Sequence, residues 1–342
     1  MKRLLPLAAA GFLAMAMTTA AQAEDPLVVS TYGFNKQKFR DILFDPFEKQ
    51  CGCKIIVEGG NNAARLTKLE AQAGKGKYDL AVFADFAAIE AKTKGLTQAI
   101  DISKLGNYAK IFDFAKDPIG DNFGIGYTFY SSSIVYRGDK IDNISSWNDL
   151  FGDKLKGRVA IPNVSTTQGP LTLFMIDKAQ GGSGESFSKA LDKISASKDD
   201  IVTFYNRSSE LITLFAQDEI WAAPVGRFAW GRLIKANPSL KWSIPSEGQT
   251  GGMNVIVIPK DTKHVDQVHK LIDFWLSTPV QTALAEELVD SPANSEAKVS
   301  DAKAALLTYG QDQVSAINFL KADIIIRNRD AWVKTWNEKI AR

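Results

Sequence analysis

Few side chains here are of types that do covalent chemistry. The chain has two histidines, His264 and His269, and two cysteines, Cys51 and Cys53. Serine catalysis needs a base, and the histidines stand five apart, which puts them on different faces of any helix that carries them. No G-x-S-x-G turn, H-E-x-x-H pair or calcium-loop pattern occurs. Cys51 and Cys53 flank one glycine; two thiolates do not complete a metal shell, so they read either as a small disulfide or as plain thiols. A carboxylate pair for glycoside hydrolysis stays open as an alternative. Non-covalent chemistry is better represented. Loops at 32–35, 59–62, 84–85, 162–167 and 224–227 carry hydroxyls, amides, Gly and Pro where strands are expected to end. Such loops, with the N–H groups of following helices, form a wall suited to a small polar ligand.

Alternating elements must hold those loops. The pattern predicts strands at Leu27–Tyr32, Lys54–Glu58, Asp79–Phe83, Arg158–Ile161, Ile201–Tyr205, Glu219–Ala223 and Asn254–Ile258. It predicts helices over Lys36–Lys49, Ala64–Ala73, Phe86–Lys94, Gly169–Lys178, Ser208–Gln217 and Phe228–Lys235; Phe39, Ile42, Leu43 and Phe47 show the helical spacing. This alternation implies an α/β fold, with helices covering mostly parallel sheets. Two runs break it: Gly124–Arg137 (GIGYTFYSSSIVYR) and Gly251–Lys260 (GGMNVIVIPK). Both read as long strands able to cross between two lobes as a hinge. A tail with helices at Val265–Ser277, Pro279–Val289, Ala302–Thr308 and Ala331–Ile340 follows.

The first 23 residues read as a leader. Lys2 and Arg3 precede the uncharged run Leu4–Met17, and small residues end in an A-x-A pattern at Ala21 and Ala23. The run is shorter than the roughly 20 residues that span a bilayer. Cleavage after Ala23 and export to the periplasm are the expectation. Without Lys2 and Arg3, 39 of the 41 basic residues face 39 acidic ones. A balanced charge gives no electrostatic reason to expect nucleic acid or an anionic membrane as partner. An apolar content of 45% belongs to a globular chain.

The stretches FDPFEKQCGCKIIVEGG, YDLAVFADF, DISKLGNY, SSWNDLFGDKLKGRVAIPN, GGMNVIVIPKDTKHVDQVHKLIDFWLSTPVQTALAEELVDSPANSEA and WVKTWNEKI come in a telling order. Their order and spacing resemble the periplasmic solute-binding proteins of ABC importers, in the family that includes spermidine/putrescine-binding proteins. The resemblance implies a two-lobed periplasmic binding protein fold of type II. Lobe one is expected at 24–132 plus 254–300, lobe two at 133–253 plus 301–342, after a signal peptide at 1–23. A monomer that delivers ligand to an inner-membrane permease and its ATPase subunits is implied, with no cofactor, metal or catalysis.

The polyamine binders of that family are implied to hold ammonium groups with carboxylates, at positions falling here on Asn163 or Val164, on Thr167 and on Asn254. None is acidic. Arg207 and Arg227 fall where the family faces its cleft, and a guanidinium fork with hydroxyls suits carboxylate, phosphonate or phosphate oxygens. Asp85 would hold an ammonium beside Phe86, Tyr32, Tyr127 and Tyr130. The ligand set implied is Thr31, Tyr32, Asp85, Phe86, Tyr127, Tyr130, Ser131, Ser132, Ser165, Thr166, Thr167, Arg207, Arg227, Met253 and Asn254. The expected ligand is an amine that also carries an anion, of the ω-amino acid or aminoalkylphosphonate kind. A polyamine is the alternative and an exported hydrolase a remote one. Ferric binding through Tyr127 and Tyr130 is a further alternative.

Overall fold

A computed structural model describes residues 25–33, 35–289 and 291–341. The expected leader and its cleavage after Ala23 lie outside the described residues. Short apolar runs become strands where both faces find cover: β1 Leu27–Thr31, β2 Ile55–Gly59, β3 Leu80–Ala84, β4 Thr97–Gln98, β5 Ile125–Arg137, β6 Val159–Pro162, β7 Ile201–Tyr205, β8 Ala222–Gly226, β9 Leu240–Trp242, β10 Gln249–Pro259, β11 Ser291–Pro292 and β12 Ile317–Phe319. They form one mixed sheet whose main path runs β2-β1-β3-β10-β5-β8-β6-β7.

The long strands β5 and β10 are the two runs that broke the sequence alternation. They pair antiparallel with each other, from Thr250 opposite Ser132 to Ile256 opposite Ile125. β3 pairs antiparallel with the later part of β10, and β8 with the later part of β5. β1, β2 and β3 are mutually parallel, as are β6, β7 and β8. The carboxyl ends of the two parallel sets therefore point at each other across the crossing strands. That is the geometric origin of the site.

Each half of the sheet has apolar cover on both faces. In the first, Phe39, Phe44, Leu271 and Trp275 cover one face, and Leu66, Leu69, Ala88 and Ala91 the other. In the second, Trp147, Leu173, Phe187 and Ile194 lie opposite Leu211, Phe215 and Leu233. The tail helix Ala322–Lys339 returns to this second half, stacking Trp332 on Phe187 with ring centroids 4.3 Å apart and setting Trp336 edge-on to Phe204. It starts earlier than its sequence pattern suggested, because Ile324 and Ile325 are also buried.

Other boundaries moved for local reasons. The strand expected at Glu219–Ala223 begins at Ala222, since the N–H groups of Glu219 and Ile220 turn back to the Leu214 carbonyl. The helix expected over Lys36–Lys49 contains a π-helical turn at Arg40–Phe44, immediately before Pro46, which has no N–H to continue regular pairing. The helix expected at Ala302–Thr308 stops at Ala304, and the helix at Ser188–Ala196 was not expected, although Phe187, Leu191 and Ile194 recur at helical spacing. Cys51 and Cys53 are joined by a disulfide that closes around Gly52, whose φ of 68° ends the helix Asp45–Cys51.

Candidate functional site

Between the facing strand ends lies a cleft of about 720 Å³. On the first side it is lined by Tyr32 after β1, Asn62, Ala84 at the end of β3, and Asn254 on β10. A register shift between Asn254 and Val255 interrupts the β10–β5 ladder at that point. The Tyr32 hydroxyl donates to Asn254 Oδ1 at 2.6 Å. Asn62 Oδ1 accepts from the Ala84 N–H at 3.1 Å and from Arg65 Nη2 at 3.0 Å. Arg65 is 1% exposed, lies 4.3 Å from the Tyr32 ring centroid and donates to the carbonyls of Gly60 and Val82. A buried cation thus ties three strand ends together behind the wall, and burial holds its pKa below the ordinary arginine value.

On the opposite side the cleft is lined by the Thr166–Gln168 turn after β6, by Tyr205 to Ser208 at the end of β7, and by Arg227 and Phe228 after β8. Tyr130 reaches in from the crossing strand, edge-on to Phe228 at 5.3 Å. Its hydroxyl has room because position 252 is glycine: a Cβ there would lie 2.7 Å from Tyr130 Oη. Arg227 packs its guanidinium over Trp242 at 4.7 Å and donates from Nη2 to the Ala305 carbonyl at 2.7 Å. Burial pushes its pKa down to about 10. Among the described residues the ionisable lining is lopsided: Lys38, Arg207, Arg227, Arg232, Lys235 and Lys303 against Glu287, which is paired with Lys38 at 3.1 Å.

Asp85 stands at the start of the helix Asp85–Thr93, beside this lining rather than in it. Loss of water around its carboxyl raises the pKa to about 6, against the lowering effect of the Phe86 and Met253 N–H groups. Burial, and after it the charge of the same carboxyl, keeps Tyr130 well above the usual phenol value.

Of the expected ligand contacts, Tyr32, Tyr130, Thr166, Thr167, Arg207, Arg227 and Asn254 line the cleft. The others are placed elsewhere. Ser131 and Ser132 are fully buried and bonded within the protein, to Thr308 Oγ1 at 3.0 Å and Gln168 Oε1 at 2.8 Å. Tyr127 is 1% exposed and packs on Trp275 at 4.6 Å, away from Tyr130 and the cleft. Met253 and Thr31 are buried behind the wall, Phe86 lies under the Arg329 guanidinium, and Ser165 is turned onto Asn163 Oδ1. His264 sits 3.0 Å from Asp79 Oδ1, and His269 accepts the Asp101 N–H at 2.9 Å, so both are engaged by the protein. Gln168, Phe228 and Arg65 were missed. A lone glutamine at a helix start, a phenylalanine after a strand and an arginine inside a helix carry no motif.

A model of the bacterial extracellular solute-binding proteins matches residues 43–308. The chain belongs to that family. As a solute-binding protein of the ABC-importer class, it is 27% identical over 312 residues to the spermidine/putrescine-binding periplasmic protein of Escherichia coli, covering 82% of each chain. The crystal structure of an ABC transporter from Clostridium perfringens is 32% identical, with a TM-score of 0.84 over 92% of this chain and 99% of that one. A GABA receptor shares the fold at a TM-score of 0.77 and 20% identity, over 92% and 97% of the two chains. The fold is the two-lobed binding protein architecture of type II, with β5 and β10 as its crossing strands.

Proposed function

We propose that this solute-binding protein works in the periplasm and captures a small amine that also carries an anionic group, of the ω-amino acid or aminoalkylphosphonate type. It closes its lobes on the ligand without turning it over and presents the filled form to an inner-membrane permease. The lobes are the two halves of the sheet, 25–132 with 254–300 and 133–253 with the tail. The observation that carries this reading is the charge of the cleft: among the described residues six basic side chains line it, and the one lining carboxylate, Glu287, already has a lysine partner. A dication entering there would meet uncompensated guanidinium groups, whereas an oxyanion would gain charge-assisted hydrogen bonds. Asp85, desolvated next to Tyr130 and beside the lining, is the carboxylate we assign to the ligand's ammonium once the lobes close.

A second reading, a polyamine ligand, is favoured by the Escherichia coli relative, which is named for spermidine and putrescine. Titration calorimetry separates the two. The expected result is saturable binding of 4-aminobutanoate or 2-aminoethylphosphonate, with putrescine weaker by at least about tenfold, the worth of one charge-assisted hydrogen bond. Tight putrescine binding, with none for any amino acid or phosphonate, reverses the assignment.

A further inference from the structure

The order of the parallel strands in the second half is β8-β6-β7. Consequently the turn after β6 sits between the chain segments that follow β8 and β7, and each of those segments carries an arginine, Arg227 and Arg207. The middle turn leads into the 12-residue helix Gln168–Ala179, whose positive end faces the cleft. Resting on the anionic-ligand reading above, we infer that these three neighbouring strand ends form one oxyanion pole, built for a tetrahedral phosphonate or phosphate head rather than a planar carboxylate.

Two observations besides the helix end point to a ligand there. Gln168 is 6% exposed; its Oε1 accepts from Ser132, and its Nε2, though the side chain interacts with the Tyr130 hydroxyl, is without a geometrically formed hydrogen bond. Arg227 is 7% exposed, and its Nε likewise has no partner. Leaving a buried donor unpaired costs on the order of a hydrogen bond; both donors are shielded here but belong to side chains of one cleft wall, so an acceptor that arrives from outside would relieve both. Thr167, which caps the helix, makes no side-chain cap hydrogen bond, leaving its hydroxyl to the cleft.

The turn is also stiff. Asn163 accepts from the Ser165 N–H and hydroxyl through Oδ1, and from the Thr166 N–H and hydroxyl through its carbonyl. Thr166 Oγ1 then accepts the Gly169 N–H at 3.1 Å. Position 169 is glycine because the helix start lies against the preceding turn, where a Cβ would stand 2.4 Å from the Asn163 carbonyl oxygen. Of the acids nearby, Glu210 is bonded to the Arg207 N–H at 2.9 Å, and Asp85 stands beside Tyr130. Donors arrive from three directions, from β6, β7 and β8. A tetrahedral head offers three oxygens to them, and a carboxylate only two in one plane.

The test is calorimetry on the purified protein with 2-aminoethylphosphonate, phosphoethanolamine, β-alanine, putrescine and inorganic phosphate. The phosphonate or the phosphate ester is expected to bind at least tenfold tighter than β-alanine, the isosteric carboxylate; which of the two binds tighter names the source of the head. Gln168→Leu and Arg227→Lys are each expected to weaken that binding about tenfold, with ligand-free unfolding still cooperative. Inorganic phosphate binding that Gln168→Leu abolishes supports the pole by itself. β-Alanine or 4-aminobutanoate binding as tightly as the phosphonate overturns the tetrahedral head and leaves the anionic-ligand reading standing. Wild-type phosphonate affinity in both folded variants overturns these residues as the pole. Putrescine as the sole ligand bound overturns both readings.

Discussion

Asp85 and Arg65 are both desolvated, and neither has an oppositely charged side chain among its described partners. Their protonation follows opposite courses. Arg65 keeps its charge against burial through backbone carbonyls and the faces of Tyr32 and Phe83. Asp85 instead holds its proton to about pH 6. Its folded pKa lies above the unfolded value of 3.8, so the folded state binds the extra proton between those two values. The stability it contributes is therefore complete below about pH 3.8 and is lost as pH rises through about 6. Asp85→Asn is expected to unfold at a higher denaturant concentration than the parent at pH 7.5, by at most about 3 kcal/mol, with the gap closing toward pH 4. A gap that does not change with pH would show that Asp85 stays ionised throughout. Arg227 was legible through the family resemblance, which puts its position at the cleft. Gln168 was not legible, since its importance comes from burial and an unused donor, which only the packed fold reveals.

At the scale of elements, the long strands were readable from their unbroken β-forming runs, but the role of their serines was not. Ser131, Ser132 and Ser133 lie on a crossing strand buried on both faces, so the usual alternation of inward and outward residues does not apply. Their hydroxyls satisfy Thr308, Gln168 and the Ser243 carbonyl, fixing the strand inside the sheet rather than offering donors to a ligand. Gly251, opposite Ser131, has the complementary task of letting β5 approach. A Cβ there would stand 2.3 Å from the Tyr130 carbonyl oxygen, a backbone atom with no rotamer to escape into. Gly251→Ala is expected to destabilise the protein by about 1–3 kcal/mol in equilibrium denaturation, the usual cost of overpacking. An unchanged midpoint would mean that the two crossing strands slide apart freely. The disulfide is a local matter by comparison: it pins a helix end, 51–53, that lies outside the cleft lining.

For the whole molecule, the question is what opposes and what drives movement of one half against the other. β5 and β10 pass through both halves, so any closure must bend or twist within the segment where Tyr130–Ser132 faces Thr250–Gly252. A third link is the tail helix, which belongs to the second core yet places Arg329 over the Phe86 ring at 5.5 Å while donating to the Ser165 carbonyl at 3.4 Å. Phe86 follows β3 and Ser165 follows β6, so one side chain touches both walls without lining the cleft. A ligand shifts such an equilibrium only by its preference for one arrangement; moving it from 1:99 to 99:1 takes a preference of about 10⁴. Saturating ligand is accordingly expected to reduce the radius of gyration in small-angle scattering, because Tyr32 and Asn254 line the cleft from one side and Arg227 from the other. Arg329→Ala should change the apparent ligand affinity severalfold through the relative stability of the two arrangements, since the side chain has no place in the cleft itself. Scattering curves that superimpose with and without ligand would rule out closure. An Arg329→Ala protein with parental affinity would show that the tail helix merely rides on the second half.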